Sequence, residues 1–303
     1  MTNPNVSTVK ASAVSIQQQV KKRNKFSRFA RSYPLIIIGG IMVFTLAIMA
    51  VFAPVIANHN PITQYPEGLS DIGTPIEPND NFILGTDSLG RDALSRVVHG
   101  SIVSLEVGIF ASLISLIIGV FMGIVSGYFG SWIDMIIMRI TDTMLAFPFL
   151  LFVIALVAVL KPSITNVYIA IGILGWATMA RVVRAEVLKV KQLEYVQAAK
   201  ALGSSSFPIL FIEVLPNIMG PVIVMGTLAI GQNIMLEAAL SFLGIGVQPP
   251  TASWGNMLQE GMRIYQIAPW MIYGPGIALI WATLGFNLLG DGLRDWLDPK
   301  TGR

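Results

Sequence analysis

The chain is 303 residues long, 54% hydrophobic and 12% charged, about half the charge of an ordinary soluble domain, so lipid is its expected solvent. It has no cysteine and two histidines, His59 and His99, which excludes disulfide scaffolds and thiolate sites and leaves too few ligands for a metal centre. The net charge of +3 is sorted by loop, which points to membrane orientation rather than to nucleic-acid binding.

A helix needs about 20 apolar residues to cross the hydrocarbon core, and six stretches nearly free of Asp, Glu, Lys and Arg qualify. Residues 1–33 come first, a polar segment carrying Lys10, Lys21, Lys22, Arg23, Lys25, Arg28 and Arg31. The first span, 34–57, is too long for the apolar part of a cleaved signal and reads as an uncleaved anchor. Loop 58–100 is rich in Pro, Asn and Gly. It sets Glu67, Asp71, Glu77, Asp80, Asp87 and Asp92 against Arg91 and Arg96. The second span is 107–129. The third, 136–160, has Arg139 and Asp142 near its start, three apart and placed to pair on one helix face. The fourth span is 162–180, followed by a long polar loop, 181–213. The fifth and sixth are 214–236 and 264–290, and a tail, 291–303, closes the chain.

Each span must be helical, because lipid offers the backbone no hydrogen-bond partner. The fold class is therefore an all-α membrane protein with six transmembrane helices, residues 101–290 forming a five-helix core. Lys and Arg concentrate in 1–33, in 181–213 and in the tail. The opposite side carries Arg91, Arg96, Lys161 and Arg263. This bias places both termini in the cytoplasm.

In the second span Ala111, Ser115, Gly119, Gly123 and Gly127 recur every fourth residue and share one helix face. Small residues at this spacing let helix backbones approach closely in lipid, so packing is favoured over pore lining. Gln232, Asn233 and Glu237 make a polar patch late in the fifth span. An ionisable group inside a membrane marks either a path or a tie between helices. Gly85, Thr86, Asp87, Gly90, Arg91 and Asp92 read as a capped turn leading into a helix.

The stretch from Glu194 to Pro216 reads as a helix pair. A short helix from about Leu193 is ended by Gly203 in a left-handed cap. Ser204, Ser206 and Pro208 start a second helix. Such an excursion, with Ala198, Ala199 and Gly203 on a flat surface, suits a groove in another protein. No Gly-x-x-x-x-Gly-Lys-Ser/Thr stretch occurs, so a phosphate-cradling loop must come from elsewhere if transport uses ATP.

Gln197, Ala198, Ala199, Gly203, Leu215 and Pro216 resemble the Glu-Ala-Ala loop of ABC importer permeases, with Gln197 and Glu213 departing from the family's Glu and Ile. The run from Gly85 to Asp92 is similar to an element of the dipeptide, oligopeptide and nickel permeases. So are the runs from Glu237 to Gly246, from Ala252 to Gly255 and from Gly290 to Lys300. Together they resemble the subfamily's C-type subunit and its type I importer fold.

The resemblance implies a transport subunit, not an enzyme, with Glu194 to Gly203 as a cytoplasmic coupling helix. It implies a second homologous permease as heterodimer partner, two cytoplasmic ATPase subunits that bind the ATP, and an extracytoplasmic peptide-binding protein. Small peptides are the expected cargo and membrane lipids the surroundings; this chain would hold no cofactor of its own. Nickel chelates carried by the same architecture, or an ATP-independent secondary transporter, are the competing expectations.

Overall fold

The computed structural model describes residues 25–297. The basic residues Lys10, Lys21, Lys22, Arg23, Lys300 and Arg303 lie outside the described residues. Among the described residues no strand forms; the only β geometry is two isolated bridges, Leu69 with Pro75 and Thr86 with Asp92. The helices are α1 (Lys25–Ser32), α2 (Pro34–Val51), α3 (Ala53–Ile56), α4 (Ala93–Phe129), α5 (Ser131–Ala146), α6 (Phe149–Leu160), α7 (Ile164–Val190), α8 (Glu194–Ala201), α9 (Ser206–Pro208), α10 (Leu215–Phe242), α11 (Trp254–Ile264) and α12 (Trp270–Leu297). A single π turn, Ile209–Val214, joins α9 to α10.

Five continuous helical runs are long and apolar enough to cross a membrane, and the bent pair α5 and α6 makes a sixth. The third span is thus not one helix. Its two halves meet at 90°, around Phe147 in extended backbone and Pro148 as the residue before α6. A proline disfavours helical geometry in the residue before it, so the chain turns there.

That this pair completes a crossing follows from the packing of α4 on α7. The contacts run Gly172 on Ile114, then Met179 on Gly119, Val183 on Gly123 and Val187 on Gly127. Both numbers rise together, so the two helices are parallel, and the chain between them must return across the bundle. Only α5 and α6 lie between. By the same reasoning α10 is antiparallel to α4, with Ile234 against Gly108 and Leu116 against Gly226. Helix α12 is antiparallel to both α10 and α2, with Leu228 against Gly290 and Ile36 against Gly292. The ends of the described chain therefore share one end of the bundle with α8, and the segments 57–92 and 243–269 form the other.

Several helices outrun their apolar stretches. Helix α4 starts at Ala93, because the Asp92 side chain accepts from the Ser95 amide as an N-cap. Helix α7 continues to Val190, turning the first part of the expected loop 181–213 into helix. There Arg181 bonds Asp142 at 2.6 Å, and Arg184 holds Asp134 through two bonds of 2.5 and 2.6 Å. This corrects the expected Arg139–Asp142 pair: Asp142 reaches across to α7, and Arg139 lies on the exposed face of α5. The last span begins at Trp270 rather than 264, since Pro269 separates it from the distinct helix α11.

Candidate functional site

The small-residue face of the second span lies against α7 within this chain. A Cβ on Gly119 would stand 2.5 Å from the Met179 Cβ, and one on Gly123 2.6 Å from the Val183 Cβ. Ala111 is fully buried, Gly127 faces Val187, and Ser115 donates its hydroxyl to the Gly172 carbonyl at 2.9 Å. The two backbones touch because no side chain intervenes, which is the usual source of helix association in lipid.

The polar patch of the fifth span divides. Asn233 and Glu237, one turn apart, both face α4: Asn233 donates to the Ser112 hydroxyl at 2.8 Å, and Glu237 accepts from Ser104 at 3.2 Å and from Ser241 at 2.7 Å. Glu237 is fully buried, so its side chain ties helices together rather than lining an open path. The Ser241 hydroxyl also accepts from the Val247 amide at 3.0 Å, which fastens the loop after α10 to the same knot. Gln232 lies apart from them on the exposed side of α10.

Residues 85–92 fold as a keystone. Gly85 and Gly90 have positive φ, +65° and +74°, where a side chain is strained. Asp87 accepts from the amides of Leu89 and Arg91 at 2.9 Å. Its other oxygen pairs with Arg91 at 2.6 Å and Arg96 at 3.3 Å. Both arginines also reach Glu260 on α11, at 3.2 and 3.6 Å. Thr86 donates to the Gly68 carbonyl at 2.6 Å, and the Trp270 indole donates to the Thr86 carbonyl at 3.0 Å. One turn thereby joins the loop 58–92 to α4, α11 and the start of α12. Glu260 and Trp270 escaped the sequence reading, and Arg96 was counted there only as a loop charge, not as a partner of Asp87 and Glu260.

At the opposite end, α8 is fastened by one face. Val196 is buried with Val187, Val190, Ile209 and Val214. Lys191 reaches the Tyr128 carbonyl at 2.5 Å, and Gln197 bonds the Lys191 carbonyl at 2.6 Å. Glu194, Gln197 and Ala198 are exposed and Ala199 is half-buried. Gly203 has φ +83° and open space around its Cβ position. The Ser204 amide closes on the Ala199 carbonyl at 3.1 Å, the long bond of a left-handed helix cap. Around it Leu202, Phe207 and Ile212 are exposed, Leu202 at 87%.

Pro216 is the second residue of α10, after Leu215. A proline there lacks the N–H that the carbonyl four residues back would use, and the preceding turn, Ile209–Val214, is widened to π spacing. The second helix of the expected pair is therefore no separate element. Helix α9, the π turn and α10 form one continuous run from Ser206 to Phe242.

Fold and site together define a polytopic helical membrane protein with one helical excursion exposed at the end where the described chain begins and finishes. The sequence belongs to the family described as the binding-protein-dependent transport system inner membrane component, matched over residues 116–303, and the protein is thus a transport permease. It is 41% identical to a dipeptide transport system permease protein of Alkalihalophilus pseudofirmus, over 95% of this chain and 91% of the relative. A glutathione transport system permease protein of Pectobacterium atrosepticum is 39% identical over 92% of this chain and 91% of its own. A di/tripeptide transport system permease protein of Pseudomonas aeruginosa is 41% identical, over 87% and 88%.

Proposed function

We propose that the chain forms half of the translocation path for small peptides in an ATP-driven importer and that α8 is its mechanical handle. The observation that carries this reading is the construction of α8. It is fixed to α7 and the π turn by Val196 while Glu194, Gln197, Ala198 and the Gly203 cap face outward. A push on that outward face reaches α10 directly, since the π turn and α10 are one run.

The remaining parts lie on other polypeptides: a second homologous permease, two ATPase subunits that bind the ATP, and an extracytoplasmic peptide-binding protein. The end bearing α8 and both described chain ends is cytoplasmic, in keeping with the clustering of Lys and Arg there. The end formed by 57–92 and 243–269 faces the binding protein. Peptide cargo is supported by the dipeptide, di/tripeptide and glutathione permeases among the relatives. Two permeases alternate between outward- and inward-facing packings as the ATPases close and open, a rigid-body switch between two discrete interfaces.

Replacing residues 194–205 by a glycine-serine linker tests the handle. Affinity capture of the replaced permease is expected to lose the ATPase subunits while retaining the second permease. Equal capture of ATPase by both forms would refute the assignment.

A further inference from the structure

Two charged side chains lie at membrane depth and are left uncovered by this chain. Arg181 on α7 pairs with Asp142 on α5 at 2.6 Å, and the two side chains remain 53% and 56% exposed. Arg139, one turn before Asp142 on α5, is exposed as well. The packing of α4 on α7 fixes the depth. Met179 faces Gly119 and Val183 faces Gly123, so Arg181 is level with Phe121. Phe121 belongs to the stretch 107–129 of α4, which has no charged residue. At about 1.5 Å per residue it lies about 12 Å from the end of that stretch nearest α8. The pair is therefore inside the hydrocarbon layer rather than at its rim.

Ionisable groups at such depth almost always face a bundle interior or a water-filled cavity. Glu237 is the first case, closed between α10 and α4. Asp142 and Arg181 are the second, on an open face of the same bundle. Thr178, one turn before Arg181, is also exposed and continues that strip of α7.

We propose that Asp142 and Arg181 form a station on the translocation path for the two terminal charges of a peptide, the α-ammonium at Asp142 and the α-carboxylate at Arg181. This deepens the peptide-importer reading and rests on it. Every linear peptide with free ends carries both charges near neutral pH, whatever its side chains. A half-exposed ion pair is weakly held, so it opens to admit them. Cargo replaces each partner by a group of the same charge, and neither side chain is left uncompensated while the peptide passes. The guanidinium fork suits a carboxylate through two parallel hydrogen bonds.

The chain has no cysteine, so Thr178→Cys reports on this face in the complete importer, reconstituted in proteoliposomes with ATP turning over. Its reaction with a charged, water-soluble methanethiosulfonate, read from the mass of the permease, is expected to go to completion. An unreactive Thr178→Cys would place the face in lipid or under a partner subunit and overturn the proposal. The second arm is the double variant Asp142→Asn with Arg181→Gln, which removes both charges and keeps a neutral hydrogen-bonding pair. Uptake of a labelled dipeptide with free ends should fall at least about tenfold, the loss expected of one charge-assisted hydrogen bond, with the thermal unfolding midpoint and ATPase capture unchanged. Undiminished uptake would overturn the station, as would a loss of uptake accompanied by a lowered midpoint, which marks a structural tie. Absence of uptake by the unsubstituted importer would defeat the peptide reading itself and this inference with it.

Discussion

Asp87 shows how much of this protein rests on single side chains. Its carboxylate is fully buried and answers two buried arginines. Removing one partner of a buried ion network leaves an uncompensated charge and costs about 3–5 kcal/mol. Asp87→Asn should therefore loosen the loop 58–92 selectively, seen as faster amide hydrogen exchange there with α4 to α7 unchanged. Unaltered exchange across 58–92 would show the network to be dispensable. Gly123 is critical for the opposite reason, absence of bulk. A Cβ there meets the Val183 side chain and the Ala180 carbonyl at 2.6 and 2.8 Å, and overpacking of this kind costs about 1–3 kcal/mol. Gly123→Val should lower the midpoint of thermal unfolding of the purified complex. Gly130, with nothing within 4 Å of its Cβ position, offers a contrast in space but not in backbone, since its φ is +64°.

Among the elements, the π turn before Pro216 joins what the sequence reading kept apart, the second helix of the excursion and the fifth span. Helix α8 was legible because a left-handed cap needs Gly203 and leaves it in plain view. The π turn was not, because Leu215 and Pro216 announce a helix start and say nothing about the spacing of the turn before it. Deleting Ile212, an exposed residue of that turn, should restore α spacing and turn α8 relative to α10 by about 100°. The expected result is a permease that still inserts and still captures ATPase but moves peptide poorly. Full uptake by the deletion variant would mean the π geometry carries no motion. The kink between α5 and α6 is half legible: a proline at 148 disfavours helix in the residue before it, but the 90° angle has no signature along the chain, and neither do the bonds by which Asp134 and Asp142 fasten α5 to α7. Those cross-span pairs cannot be read from spacing along one helix, and so Arg139 was the wrong partner.

At the scale of the whole molecule, the six crossings were legible because charge is too costly in lipid to be scattered at random. Their mutual arrangement was not legible, since direction and neighbour follow from contacts such as Gly123 on Val183 and Gly290 on Leu228. The structure places the segment containing Asp80 and the segment containing Ser205 at opposite ends of the bundle. Single cysteines at these two exposed positions should label from opposite sides of a sealed membrane, Ser205→Cys only after permeabilisation. Labelling of both from one side would contradict the arrangement of α4, α7 and α10.

The central claim is that a motor on other subunits drives this bundle through α8. The most direct measurement is labelled-peptide uptake into proteoliposomes holding the complete importer, made with active ATPase subunits or with subunits that bind but cannot hydrolyse ATP. Uptake is predicted with the active subunits and absent with the inert ones. Equal uptake in both preparations would contradict the account.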